Sequence, residues 1–345
     1  MTVPGAIAAD DATGDRWIRS IRWYRTKLDP GQLRRLQQRS NVRGALQALG
    51  YLALLGLTAA LAFLSAGRWP WWSTVLLTFL HGSCYAFQIN AVHELVHGTV
   101  FRTAALNQLF LRIFGFLGWI NFPLFAASHA RHHQFTLHPP DDLEVVLPVT
   151  FGWREFLRTG FVDPSYLKRM LLEALRISRG QFRGEWERAL FPDSAPERQR
   201  APIGWARALL VGHATIVIGS ILIAWFGYPR MLMLPVLVTC GKCYGGWLFL
   251  ACNNTQHIAV QGNVADYRLC CRTFTLNPFV RFLYWQMNFH TDHHMYTQVP
   301  CYRLARLHQA IEHDLPPAPR GILAVWREIA ASQPRGLPVP ERPVL

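Results

Sequence analysis

Residues 73–97 read STVLLTFLHGSCYAFQINAVHELVH, a mostly apolar run that leads directly into two histidines four positions apart. A helix needs about 20 predominantly apolar residues to cross a membrane, and the run up to residue 92 has that length. Residues four apart lie on one face of a helix, so His93 and His97 present two imidazoles in the same direction. The stretch predicts a membrane-spanning helix that ends in a pair of metal ligands.

The composition is typical of a membrane protein that also has a sizeable water-facing part. The chain has 345 residues, of which 51% are apolar and 16% are charged, whereas soluble domains carry about 25% charged residues. Its mean hydropathy is +0.11. These values exclude an intrinsically disordered chain, a collagen-like repeat and a coiled coil. Basic loops beside membrane spans explain the net charge of +14, so nucleic acid is not expected as a partner.

Four apolar runs are long enough to span, and short gaps join them into two hairpins. This pattern predicts an all-α integral membrane protein with four transmembrane helices and a cytoplasmic helical cap. The runs are residues 45–67, 73–92, 208–227 and 231–250. The chain is accordingly divided into an N-terminal segment (1–44), a first hairpin (45–92), a first part of the cap (93–207), a second hairpin (208–252), a second part of the cap (253–315) and a loose, Pro-rich tail (316–345).

The distribution of positive charge predicts the orientation. Nine Lys and Arg residues precede residue 45, thirteen lie within 98–200, and nine follow residue 253. By the positive-inside rule, both termini and the cap are cytoplasmic, at a bacterial inner membrane. A further apolar stretch, residues 106–127, is interrupted by Pro123 and carries Asn121. We expect this stretch to form an interfacial or re-entrant pair of helices instead of a fifth span.

Two further histidine clusters share the spacing i, i+3, i+4, which places all their members on one helix face. Chance histidines on polar helix faces would not produce three clusters at the predicted cytoplasmic ends of apolar segments. Eight packed imidazoles without a metal would also be costly to desolvate and would repel one another once protonated. We therefore predict a metal site. The two additional clusters contain His129, His132, His133, His290, His293 and His294.

The number of histidines indicates two metal ions, because eight ligands are too many for one tetrahedral zinc. A ninth ligand, His257, follows the fourth apolar run, and Asn253 lies four residues earlier on the same helical face, where it could hold a metal-bound water. Ligating histidines commonly donate their free N–H to a carboxylate. Asp141, Asp142 and Asp292 are the hypothesised acceptors.

Three ionisable residues lie within the predicted spans, where such residues are functional candidates by default. His81 and His213 are too far from the clusters in sequence to be assigned as ligands, and hydrogen-bonded packing is the preferred interpretation. For Lys242 the sequence leaves three alternatives open: contact with a polar substrate group, snorkelling toward the membrane surface, or packing against another helix.

The three clusters resemble the histidine boxes of the membrane fatty acid desaturase superfamily, which also includes alkane, carotenoid and sphingolipid hydroxylases. The boxes here read HELVH (93–97), HARHH (129–133) and HTDHH (290–294). The resemblance extends from the first span to about Leu315. After the third box the family usually has an aromatic–Pro pair, whereas this chain has Tyr-Thr at 296–297. That departure concerns the shape of a loop and leaves the metal ligands intact.

The resemblance implies a four-span fold with a cytoplasmic cap around two iron ions. It implies that the iron pair activates O2 and abstracts hydrogen from an unactivated C–H bond of a lipid or acyl substrate. Two electrons would come from an external ferredoxin-type or cytochrome-type donor with its reductase. Asn253 and His257 look like the additional Asn-xxx-His element of acyl desaturases. The implied ligands are His93, His97, His129, His132, His133, His257, His290, His293, His294 and, more weakly, Asn253.

Within this class, desaturation of a fatty acyl or lipid chain is the preferred function. Hydroxylation of an alkyl, terpenoid or small amphiphilic substrate on the same site is the alternative. A more distant alternative is a zinc membrane hydrolase, since HELVH also fits the HExxH pattern with Glu94 as general base. Zinc has no redox chemistry, and the hydrolase leaves six clustered histidines unexplained. A non-enzymatic metal or haem transporter would need polar groups through the membrane centre, and few are present.

Overall fold

The computed structural model describes residues 20–147, 149 and 152–332, and this part of the chain is mostly helical. It contains no β-strand, only four isolated β-bridges. The first 19 residues of the predicted N-terminal segment and residues 333–345 of the predicted tail lie outside the described residues. The helices up to residue 190 are α1 (Pro30–Leu36), α2 (Asn41–Ser65), α3 (Trp71–Tyr85), α4 (Gln88–Val96), α5 (Ala104–Leu117), α6 (Phe122–Phe135), α7 (Trp153–Gly160), α8 (Pro164–Ser178) and α9 (Gly184–Leu190). They are followed by α10 (Pro196–Trp225), α11 (Met233–Leu237), α12 (Trp247–Asn253), α13 (Tyr267–Cys270), α14 (Pro278–Leu283), α15 (His290–Met295), α16 (Leu304–Ile311) and α17 (Ile322–Ser332).

Three helical stretches in the described residues are long and apolar enough to cross a membrane, and they correspond to three of the four predicted runs. The first is α2, whose N-terminus is capped by the Ser40 hydroxyl accepting a hydrogen bond from the Arg43 amide (3.3 Å). The second is α3 continued by α4, and the third is α10. Because α10 begins at Pro196 instead of residue 208, the end of the predicted cap belongs to this helix.

The fourth run, residues 231–250, does not form one continuous helix, so the prediction of a single helix there is wrong. After a 3-10 turn that ends at Leu232, its helical parts are α11 and the first part of α12. The reason is close packing against α3: Gly245 has φ +72°, and a Cβ there would lie 2.5 Å from the Ser83 amide nitrogen. A Cβ at Gly241 would lie 2.8 Å from the Tyr85 ring. Glycine tolerates both the left-handed conformation and the close approach, so the chain turns here instead of continuing as a helix.

The apolar stretch 106–127 forms a sharply bent helix pair, as predicted. Helices α5 and α6 meet at an angle of 107° across a short break. Trp119 in the break has φ 54°, and the Asn121 side chain caps α6 by accepting a hydrogen bond from the Leu124 amide (3.3 Å). The same side chain donates to the Pro202 carbonyl of α10 (2.9 Å). The bend allows α6 to pack beside α4, so the second histidine box comes next to the first.

The largest hydrophobic core lies between α2, α4 and α5 on one side and residues 283–311 on the other. Trp285, which is fully buried, contacts the rings of Tyr51 and Phe114 edge-on, with centroids 6.0 Å and 5.5 Å apart. Such aromatic pairs add about 0.5–1.5 kcal/mol each beyond the burial of their area. The core therefore fixes the segment that leads into the third histidine box against the membrane helices.

Residues after Leu315 were expected to form a loose tail, and this is wrong for the part that the structure describes. Helix α17 packs on the protein through Val325 and Ile329, which are buried, and the Trp326 indole donates to the Ala251 carbonyl (3.0 Å). These residues are three or four positions apart, so they form one apolar helix face. The prolines before and after this helix in the sequence led to the prediction of a loose tail.

Candidate metal centre

Four segments bring the histidine boxes together. The first box lies at the end of α4, the second on α6 and the third on α15, while His257 lies in the turn after α12. All nine predicted histidine ligands fall into two groups, and in each group the ring nitrogens lie within 4.8 Å of one another. The first group is His93, His97, His129, His133 and His293; the second is His132, His257, His290 and His294.

In the first group, called here the five-histidine group, ring nitrogens face each other both within α6 and between α6 and α15. His133 Nε2 lies 2.9 Å from His129 Nε2 and 3.2 Å from His293 Nε2. In the second, the four-histidine group, His290 Nε2 lies 2.9 Å from His257 Nε2 and 3.1 Å from His294 Nε2. Both groups are thus formed by contacts between segments far apart in sequence.

Each HxxHH box supplies ligands to both groups. In the second box the i, i+4 pair His129 and His133 joins the five-histidine group, while the i+3 residue His132 joins the other. In the third box His290 and His294 belong to the four-histidine group and His293 to the five-histidine group. The spacing therefore holds the two groups side by side, and the rings of His133 and His294 are only 4.2 Å apart between centroids.

The nitrogen positions fit the ligation of shared ions. Two nitrogens at right angles, each about 2.1 Å from one ion, would be about 3.0 Å apart, and the facing Nε2 atoms are 2.9–3.2 Å apart. The Nε2 atoms of His93 and His97 are buried without a hydrogen-bond partner among the described residues. A buried unpaired nitrogen is costly unless a ligand satisfies it. The donor set fits metals that imidazole binds well, namely iron, copper or zinc.

Burial favours the neutral form of most of these imidazoles, as metal ligation requires; for His132 the effect of burial is outweighed by the Asp142 carboxylate, which raises the pKa. Burial lowers the pKa of His257 to about 3, and it holds the pKa values of His293 and His294 well below the usual value for histidine. The neighbouring imidazoles lower these pKa values further, because a second positive charge in the group would be repelled. The rings whose pKa is lowered therefore retain the lone pair that a metal ion needs.

Hydrogen bonds to the outer ring nitrogens turn the Nε2 atoms inward. A carboxylate accepts from Nδ1 in three cases: Asp142 from His132 (2.8 Å), Glu144 from His129 (2.8 Å) and Glu94 from His93 (3.0 Å). His257 Nδ1 donates to the Cys270 carbonyl (2.9 Å), and His294 Nδ1 lies 3.1 Å from the Thr136 hydroxyl. Such outer partners fix the orientation and tautomer of a ligating histidine.

Of the three aspartates hypothesised as such partners, only Asp142 contacts a box histidine. Asp141 lies 3.8 Å from Arg131, and Asp292 accepts from His308 Nδ1 (3.0 Å), so the hypothesis is wrong for both. The sequence did not identify Glu144, which is fifteen residues from His129. No motif or spacing indicates this contact, because it depends on how the loop after α6 folds back.

The two histidines within the long apolar helices, His81 and His213, are engaged in packing. His81 contacts the Thr58 hydroxyl (2.9 Å) and the Leu237 carbonyl (3.1 Å). His213 stacks on the Trp119 ring (3.9 Å), and its Nδ1 lies 3.1 Å from the Thr239 hydroxyl. These contacts agree with the packing role predicted for both histidines.

Lys242 and Asn253 are the last two candidate residues singled out from the sequence. The Lys242 ammonium lies over the Tyr166 ring, 5.0 Å from its centroid, which favours the packing alternative. Asn253 is half-buried at the end of α12, four residues before His257. Its participation as a ligand through water stays a prediction.

Comparison with known proteins assigns the chain to a family. The sequence profile described as fatty acid desaturase matches residues 69–326. No curated protein sequence matches the chain significantly. The matched region contains all three histidine boxes and His257, and it covers more than half of the chain. The chain therefore belongs to the fatty acid desaturase family.

Proposed function

We propose that this protein is a membrane di-iron, O2-dependent oxidoreductase that introduces a double bond into the alkyl chain of a fatty acyl or other lipid substrate. Membership of the family supports an oxidoreductase acting in a membrane on a lipid with O2. The observation that carries the di-iron assignment is the pair of adjacent histidine groups, which together offer nine imidazole donors, seven of them buried.

In this proposal each histidine group holds one iron ion, and Asn253 assists the four-histidine group through a water molecule. When bound, the iron pair supplies the activation of O2 and the cleavage of an unactivated C–H bond, which no side-chain base can achieve. The chain's own residues orient the nitrogens: Asp142, Glu144 and Glu94 each hold one imidazole through Nδ1. Burial of the ligands also keeps bulk water away from the site.

The position of Glu94 argues for this function over a zinc hydrolase. In a hydrolase of the HExxH type, the glutamate acts as general base on a metal-bound water. Here Glu94 is fully buried, and its Oε1 lies 3.0 Å from His93 Nδ1 and 3.6 Å from His293 Nδ1. It therefore contacts the outer edges of two proposed ligands instead of the side on which a metal would bind.

Hydroxylation of an alkyl, terpenoid or small amphiphilic substrate is the second function that the same site would support. The two reactions share the metal ligands and differ in the fate of the substrate after hydrogen removal. We further propose a ferredoxin-type or cytochrome-type electron donor with its reductase, and an inner-membrane location with the site and both termini on the cytoplasmic side. The excess of Lys and Arg outside the apolar helices supports this orientation.

Metal analysis of the purified, detergent-solubilised protein tests the proposal. We expect about two irons per chain, one for each histidine group, and a loss of iron in His293→Ala. The matched control is His313→Ala, because His313 is exposed and lies outside both groups. One zinc per chain without iron would overturn the proposal and would make Glu94 the residue to replace next.

Product analysis then separates the two reactions. The iron-loaded protein is incubated with lipid, O2 and a reducing system, and the lipid extract is analysed by mass spectrometry. A product lacking two hydrogens supports desaturation, whereas a product with one additional oxygen supports the hydroxylase.

A further inference from the structure

Trp23, in the segment before α1, forms a stacked aromatic pair with Tyr267 of α13. The two rings are nearly parallel, with an angle of 9° and centroids 4.2 Å apart. Trp23 is half-buried and therefore reaches the protein surface, whereas Tyr267 is buried. The segment is held in place by the Tyr24 amide, which donates to the Ala265 carbonyl (2.8 Å). The stack thus runs from the surface toward the interior.

The inner member of the stack contacts both histidine groups. The Tyr267 ring lies 5.4 Å from the ring of His294, which belongs to the four-histidine group. Its hydroxyl donates to the main-chain carbonyl of His133, a member of the five-histidine group (3.2 Å). The Trp23 indole donates to the next carbonyl, that of Gln134 (3.0 Å). Two aromatic side chains therefore connect the surface with the metal site.

The surface around Trp23 is basic. Arg22, Arg25 and Lys27 are exposed, and no carboxylate of the described residues lies within ion-pair distance of them. Of the nearby acidic residues, Asp266 and Asp314 are paired with Arg268, and Asp29 caps α1 by accepting a hydrogen bond from the Gln32 amide (2.8 Å). Such a surface attracts a partner with an acidic docking face and accelerates its association. The exposed basic residues are thus located next to Trp23, the outer end of the stack.

We propose, on the basis of the di-iron function proposed above, that the Trp23–Tyr267 stack is the electron entry route from an acidic one-electron redox protein docked on Arg22, Arg25 and Lys27. In each transfer the carrier is oxidised by one electron and the metal site is reduced by one electron. No bond forms or breaks, and no proton moves along the stack. Two such transfers supply the two electrons of one turnover.

Anaerobic stopped-flow measurements test this route without relying on product formation. Iron-loaded, oxidised enzyme is mixed with a pre-reduced, acidic [2Fe–2S] ferredoxin as the probe, and the ferredoxin absorbance reports its own reoxidation. In Trp23→Leu, the limiting rate at saturating ferredoxin should fall about tenfold or more, equivalent to about 1.4 kcal/mol on the barrier. Trp23→Phe, which retains a ring for stacking, should lose much less.

The matched control is Trp326→Leu. Trp326 is also half-buried and donates its indole N–H to a main-chain carbonyl at 3.0 Å, but it does so on α17, away from the stack. We expect this variant to keep the wild-type rate. Iron content and melting temperature, measured for every variant, separate loss of the route from loss of the fold. In the double variant Arg22→Glu, Lys27→Glu, the ferredoxin concentration for half-saturation should rise while the limiting rate is retained.

Reduction by dithionite separates failure of this route from failure of the proposed function. Dithionite is small and does not need the docking surface, so it should reduce the wild type and Trp23→Leu equally fast. If ferredoxin reduces Trp23→Leu as fast as the wild type, the route is refuted while the di-iron function stands. If dithionite reduces no metal in the wild type, the di-iron function itself is refuted, and the electron route with it.

Discussion

The Asp142 carboxylate accepts hydrogen bonds from three N–H donors, one of which is His132 Nδ1. The substitution Asp142→Asn tests how strongly this carboxylate contributes to the orientation of His132 and to metal binding. The Asp142 side chain is fully buried. Its Oδ2 accepts from His132 Nδ1 and from the Leu137 amide, both at 2.8 Å, and its Oδ1 accepts from the Glu144 amide at 3.0 Å. An asparagine has almost the same shape, but its NH2 group must point at one of these three donors. At least one buried N–H therefore loses its acceptor.

The size of the effect follows from these contacts. A buried N–H left without an acceptor costs about 1–3 kcal/mol, and hydrogen bonds to a charged group contribute about 1.5–3 kcal/mol. Loss of the outer partner of a ligating histidine lowers metal affinity about 10- to 100-fold. We therefore expect Asp142→Asn to fold, to melt at a lower temperature, and to release one metal per chain to a chelator that leaves the wild type loaded.

The assay is metal content after dialysis against a graded series of chelator concentrations, with thermal unfolding of the metal-free protein measured in parallel. Asp141→Asn is the matched control: Asp141 is the adjacent aspartate and is also buried, but it lies near Arg131 and contacts no box histidine. Equal metal retention by Asp142→Asn and the wild type would refute the orienting role. Equal metal loss in both variants would mean that loop charge, not the hydrogen bond to His132, is responsible.

Three further predictions concern the second carboxylate, the broken fourth run and the C-terminal helix. Glu144→Gln should weaken metal binding by the five-histidine group about 10- to 100-fold, because Glu144 accepts from His129; chelator titration measures this, and unchanged retention would contradict it. Gly245→Ala should lower the melting temperature strongly, since its Cβ would meet backbone atoms at 2.5 Å. The control Gly56→Ala, in open space on α2, should be neutral or stabilising by up to about 1 kcal/mol. A lower melting temperature for Gly56→Ala than for Gly245→Ala would contradict this packing. Deletion of residues 322–345 should destabilise the protein, because α17 buries two apolar side chains; an unchanged melting temperature would show that the helix contributes nothing.

Apolar length and histidine spacing were sufficient to predict the three long apolar helices and to select the candidate ligands. Apolar length predicts α2, α3 and α10, because a membrane span is recognised from composition alone. The i, i+3, i+4 spacing predicts that the histidines of one box share a helix face. The same local rules fail for residues 231–250, where apolar content predicts a helix but Gly241 and Gly245 pack against α3 and form turns.

The sequence by itself determined that histidines in three boxes, with His257, would be metal-ligand candidates, because their residue type and spacing are local properties. Only the tertiary structure decided which of them lie together in one group: His132 and His133 are neighbours in the chain but belong to different groups. It also decided that Glu144 supports His129 and that Trp23 stacks on Tyr267. Such contacts depend on how distant helices and loops pack together, and no spacing within one segment encodes them.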